Sequence, residues 1–66
     1  MDNSIRKLRE QMGLSQADLG SSVDVSRQTI NSIENGKFDP SLTLALKLMK
    51  YFNKPLDSIF EHEDSL

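Results

Sequence analysis

Residues 16–35, QADLGSSVDVSRQTINSIEN, constrain the fold of this chain more than any other stretch. Two segments of helical period flank Val23-Asp24-Val25, and three residues suffice only for a tight turn between helices. Ser15 stands where its hydroxyl accepts a first-turn amide, so the spacing predicts a helix from Gln16 to about Ser22. Ser26 does the same for a second helix running through Arg27 to Asn35. Asp24 occupies the point where the chain must visit left-handed space, which Asp tolerates better than most residues.

The second of these helices has two distinct faces. At about 100° per residue, Ile30 and Ile33 lie about 60° apart and form an inward stripe. Arg27, Asn31 and Asn35 share a polar arc, closed on its far side by Gln28. A polar face on a surface helix is ordinary, but it is usually built from Glu and Lys, which are good helix formers. Here the outward residues are Arg, Gln and Asn, the side chains that make paired hydrogen bonds to the edges of bases. Two helices, a three-residue turn and such a face predict a helix-turn-helix.

This segment resembles the helix-turn-helix of the Cro/C1-type (XRE) regulators. Leu19, Val23, Val25, Ile30 and Ile33 stand where that family has apolar residues, and Gly20 where it has a small one. Asp24 replaces the family's usual turn glycine. The likeness continues through Ser15-Gln16 and Ile33-Glu34-Asn35-Gly36 and covers about Ile5 to Phe60. In SRQTIN and IENGKFDPSL the chain is similar to short, stand-alone repressors of the family. The resemblance implies an all-α, compact five-helix, lambda-repressor-like domain that binds double-stranded DNA as a homodimer. It implies a structural ion pair between Arg9 and Glu34. It also implies that Gln16 contacts a phosphate and buttresses the recognition helix. Apart from the resemblance, Arg9 reads as a solvated or phosphate-touching side chain, and Gln16 as a plain helix start.

Net charge is −2, which by itself argues against a polyanionic partner. The distribution softens this, because residues 1–38 hold five basic and five acidic side chains. Residues 39–66 hold three lysines against five carboxylates, so the acidity lies behind the proposed reading head. Few cations reach phosphate, and non-specific affinity should be weak at physiological salt.

Sixty-six residues make one domain, 1–66, near the lower limit for folding alone, with its core over about 4–60. So small a core makes oligomerisation a useful supplement. The absence of cysteine excludes disulfides and thiolate metal sites and fits a reducing cytoplasm. No run approaches the ~20 apolar residues of a membrane span, and the N-terminus lacks a signal-peptide apolar region.

Along the rest of the chain, Met1 to Asn3 is expected to fray. Ser4 caps a first helix whose inward stripe is Ile5, Leu8 and Met12, stopped by Gly13. Gly20 would cost about 1 kcal/mol against Ala inside a helix, so close approach of the two helices is its better explanation. Asn35 and Lys37 leave the third helix through Gly36 and suit the sugar-phosphate backbone; a solvated loop lysine is the rival for Lys37. Phe38 reads as core. Ser41 caps a fourth helix, Leu42 to about Phe52. Leu42, Ala45, Leu46, Met49 and Phe52 form its main stripe, and Leu44, Leu48 and Tyr51 widen it to about 220°, more than one contact can cover. Pro55 opens a fifth helix, with Leu56, Ile59 and Phe60 on one face. Tyr51, Leu56, Ile59 and Phe60 are the expected contacts with a second subunit. The acidic tail, 61–66, is loose, with a short strand as a lesser alternative.

Other chemistry is poorly provided for. His62 stands alone among acidic residues of the tail, without the convergent geometry a metal needs. No histidine pairs with a nucleophile, and Gly13, Gly20 and Gly36 are isolated rather than a phosphate-binding loop. No enzyme, cofactor or metal is expected. The DNA-binding residues expected are Gln16, Ser26, Arg27, Gln28, Thr29, Asn31, Asn35 and Lys37. Arg27 suits guanine, Gln28 adenine, and Asn31 a base edge or a phosphate; Gln16, Asn35 and Lys37 hold the backbone. The surplus apolar surface of the last two helices motivates an alternative, an antitoxin-like or adaptor module whose protein partner the sequence does not name.

Overall fold

The computed structural model describes residues 2–61, which form five helices: α1 (Ile5–Gln11), α2 (Gln16–Ser22), α3 (Arg27–Glu34), α4 (Leu42–Phe52) and α5 (Leu56–Ile59). Two predicted features, Met1 and the histidine-bearing tail beyond Glu61, lie outside the described residues. Among the described residues there is no strand, and no helix is long and apolar enough to cross a membrane.

Local chemistry sets the helix boundaries. Ser15, Ser26 and Ser41 each sit in extended backbone and accept the amide three residues on, from Asp18, Thr29 and Leu44. At α2 the Asp18 carboxylate reciprocates by accepting from the Ser15 amide at 3.0 Å, completing a capping box. The first four helices all stop on a residue of positive φ: Gly13, Asp24, Gly36 and Asn53. Each stop is closed by a bond from the following amide to a carbonyl five residues back. Examples are Val25 to Gly20 at 2.9 Å and Lys37 to Ser32 at 2.9 Å. Asp24, at φ 63°, thus does at the turn what a glycine would do.

The core gathers Ile5, Leu19, Val23, Ile30, Ile33, Leu44, Leu48, Phe52, Ile59 and Phe60 around the α2–α3 unit. Gly20 faces the turn itself rather than the body of α3. A Cβ there would lie 2.6 Å from the Val25 carbonyl oxygen and 3.2 Å from Ser26 backbone atoms.

Several expectations are corrected. The hydroxyl of Ser4 makes no cap bond. Asn3 takes over, its Oδ1 accepting from the Ile5 amide at 3.1 Å while its Nδ2 donates to the Ile33 carbonyl at 2.7 Å. Asp2 and Asn3 are therefore not frayed. An antiparallel bridge pairs Asn3 with Phe60, flanked by bonds from Ser4 to Ile59 and from Glu61 to Asp2, both 2.8 Å. Met12 and Phe38, both predicted inward, are half exposed. On α4 the buried stripe is Leu44, Ala45, Leu48 and Phe52, while Leu42 and Leu46 turn outward. The physical reason is direction: α1–α3 and α5 close on the Leu44–Leu48 side, and periodicity alone does not say which part of a wide apolar face they meet.

The expected subunit contact also changes. Ile59 and Phe60 are 1% and 6% exposed, so both side chains are spent in the core of their own chain. The short α5, only four residues, is pulled inward by the bridge to Asn3. Tyr51 is half-buried against the same core, and Leu56 remains exposed.

Candidate nucleic-acid interface

The amphipathic α3 is pinned by Ile30 and Ile33, which are completely sealed, and its opposite side faces outward. Arg27 and Gln28, in its first turn, are exposed, and among the described residues no side-chain hydrogen bond holds either of them. The N-terminal end of the helix therefore presents a fork-shaped donor and an amide side by side. Ser26 is occupied by its own helix. Its Oγ accepts from the Thr29 amide at 3.2 Å and lies 3.0 Å from the Thr29 hydroxyl, so both residues act first as the cap.

Asn31 does not stand free of the protein as Arg27 and Gln28 do. It is half-buried, its Nδ2 is 3.4 Å from Gln16 Oε1, and its Oδ1 accepts from Asn35 Nδ2 at 2.9 Å. The first of these is at the weak end of hydrogen bonding and the second well formed. Gln16 in turn donates from Nε2 to Glu34 Oε1 at 3.1 Å.

Glu34 is the hub. Arg9 donates to it twice, from Nε to Oε2 at 2.8 Å and from the second guanidinium nitrogen to Oε1 at 3.2 Å. A third Arg9 bond reaches the Leu14 carbonyl at 2.8 Å. Both partners are enclosed, Arg9 being 8% exposed, and Arg6 adds a second cation 3.8 Å from Glu34 Oε1. The bonds to Glu34 raise the pKa of the Arg9 guanidinium above its ordinary value. Such fork-to-fork pairing fixes geometry as well as charge. A continuous polar chain thus runs from Arg9 on α1 through Glu34, Gln16 and Asn31 to Asn35 at the end of α3. Among the described residues no buried side-chain nitrogen or oxygen lacks a partner.

Lys37 follows the Gly36 stop and is exposed, on the same side as Gln28, Thr29 and Ser32. Phe38 lies with them, 50% exposed, and sequence reasoning missed it. A signal was available: Phe38 sits between a glycine stop and Pro40, outside any helix whose period would carry it inward. Among the described residues no group of acidic or histidine side chains could hold a metal ion.

A family model described as helix-turn-helix matches residues 5–59. An uncharacterized HTH-type transcriptional regulator of Methanocaldococcus jannaschii is 47% identical over 64 residues, 97% of each chain. A second, from Bacillus subtilis, is 44% identical over 64 residues, again 97% of each. Among solved structures, the P22 c2 repressor in complex with a synthetic operator aligns at a TM-score of 0.81 and 29% identity, covering 89% of both chains. The turn between α2 and α3, the outward polar face of α3 and these likenesses agree: the chain belongs to the Cro/C1-type (XRE) helix-turn-helix family of DNA-binding transcriptional regulators.

Proposed function

We propose that this protein is a cytoplasmic repressor that binds a near-palindromic operator as a homodimer, entering the major groove with the N-terminus of α3. The observation that carries this is the pair Arg27 and Gln28, whose side chains are exposed and, among the described residues, unbonded, on a helix whose inner face is sealed. The operator-bound P22 c2 repressor, similar over 89% of both chains, supports the same use of the fold.

In this mechanism the polar chain from Arg9 to Asn35 acts as scaffold. Arg27 forks onto guanine and Gln28 onto adenine. Gln16, Asn35 and Lys37 hold phosphates, with Ser26 and Thr29 making shorter contacts. Asn31, already shared between Gln16 and Asn35, orients Gln16 and offers its remaining amide hydrogen and lone pair to a base edge or a phosphate. The second subunit packs on the outward apolar residues Leu42, Leu46 and Leu56, with Tyr51 at the margin. Two α3 helices then lie about 34 Å apart on successive turns of the duplex.

Selection from a random duplex pool tests the proposal. The expected result is two inverted half-sites with centres about 10 base pairs apart. Leu46→Glu should leave the fold intact and reduce the enriched site to a single half. A second reading, a protein-interaction module, is favoured by the apolar groove lined by Pro40, Leu42, Ala45, Leu56 and Phe60. If no duplex is enriched at low salt, the DNA reading fails and that groove becomes the functional surface.

A further inference from the structure

Phe38 has no role in the scaffold or in the hydrogen-bonding face, yet half of its ring lies in water. It borders a shallow depression with Ser26, Gln28, Thr29, Ser32 and Lys37, on the flank of α3 away from Arg27. Its position is held from both sides. The Lys37 amide is tied to the Ser32 carbonyl at 2.9 Å, and after Asp39 come Pro40 and the Ser41 cap of α4. An aromatic ring carried by this restrained backbone beside a polar reading face offers apolar contact that arginine, glutamine and asparagine do not.

We propose that Phe38 recognises the 5-methyl group of a thymine in each half-site, next to the base read by Gln28. This rests on the DNA reading above. The chemistry follows from the groove. Among the groups a base pair displays there, the thymine methyl is the apolar one, and phenylalanine is among the side chains that contact it. On an A·T pair that methyl is the outermost group, nearest the sugar-phosphate strand, so a residue flanking α3 meets it before a residue on the helix axis does. Lys37, next in the chain, then takes the phosphate of the same strand.

The test uses the enriched operator, with each thymine replaced in turn by deoxyuridine, which removes only the methyl. Wild-type protein should lose about fourfold in affinity at one thymine per half-site, the transfer value of one buried methyl group. Phe38→Ala should bind the thymine and uracil duplexes alike, and Phe38→Leu should keep part of the difference. Replacing that thymine by 5-methylcytosine should retain the methyl effect while losing the contacts specific to thymine's other groups. The inference is overturned if wild type tolerates deoxyuridine everywhere, or if Phe38→Ala keeps the full thymine-to-uracil ratio. Uniform weakening by Phe38→Ala, with the ratio intact, also overturns it. Failure to enrich any operator would instead remove the DNA reading, and this inference with it.

Discussion

The guanidinium of Arg9 on α1 holds the carboxylate of Glu34 at the end of α3 through bonds of 2.8 and 3.2 Å, with both side chains withdrawn from water. These residues are 25 positions apart. The pair therefore fixes the angle between the first helix and the reading helix, a relation that no local preference can set. Through Gln16 Nε2 the same carboxylate also orients the side chain that touches Asn31.

Glu34→Ala leaves the Arg9 charge enclosed with the Leu14 carbonyl as its remaining hydrogen-bond partner among the described residues. It should cost about 3–5 kcal/mol, the usual result of breaking a buried pair. Arg9→Met with Glu34→Leu should recover most of that, since removing both charges removes the desolvation cost. Urea denaturation midpoints check this. A Glu34→Ala protein within 0.5 kcal/mol, roughly, of wild type would show the pair to be idle.

Gly20→Ala should destabilise despite the gain of about 1 kcal/mol in helix propensity. The added Cβ would stand 2.6 Å from the Val25 carbonyl oxygen, a backbone atom that moves only if the turn moves. The net loss should be about 1–3 kcal/mol, as for other overpacked sites. Thermal unfolding measures it, and an unchanged midpoint would mean that the turn yields freely.

Gln28→Ala should lose about 1–3 kcal/mol at one base pair and relax preference there. Lys37→Ala should instead weaken all sequences alike and flatten the salt dependence by about one unit. Competition binding against single-base operator variants separates them. If Gln28→Ala left the preference profile unchanged, that residue would be a backbone contact rather than a reader.

Asp18 has its pKa lowered, first by the bond from the Ser15 amide and then by the Ser15 hydroxyl. A depressed carboxylate stabilises the fold above its unfolded value and loses that contribution as pH falls through the folded one. Wild type should therefore lose more stability than Asp18→Asn as pH drops below about 3.9, the ordinary aspartate value. Denaturation at pH 7 and at successively lower pH measures the gap between the two proteins. A gap that stays constant with pH would show that the carboxylate's charge contributes nothing to the cap.

Where a feature depends on neighbours within four or five residues, the sequence showed it. Ser15, Ser26 and Ser41 cap the helices they precede, Asp24 takes the left-handed turn, and Ile30 and Ile33 are sealed. The outward placement of Arg27 and Gln28 follows from the same period. Ser4 shows the limit of this logic, because the better cap was Asn3, one residue earlier and bonded to a distant carbonyl.

The sequence by itself determined the elements: where each helix starts, where it stops and which arc of α3 is polar. A cap or a left-handed stop is a short-range bond, and a helix period is local arithmetic. Only the tertiary structure decided which part of α4's wide apolar face was covered, exposing Leu42 at 75% and sealing Leu48. It likewise drew Ile59 and Phe60 inward through the bridge to Asn3, left Phe38 beside the reading face, and tethered Asn31 to Gln16 and Asn35. Each of these depends on where chain segments far apart in sequence close on one another, and such closure is a property of the packed body rather than of any window along the chain.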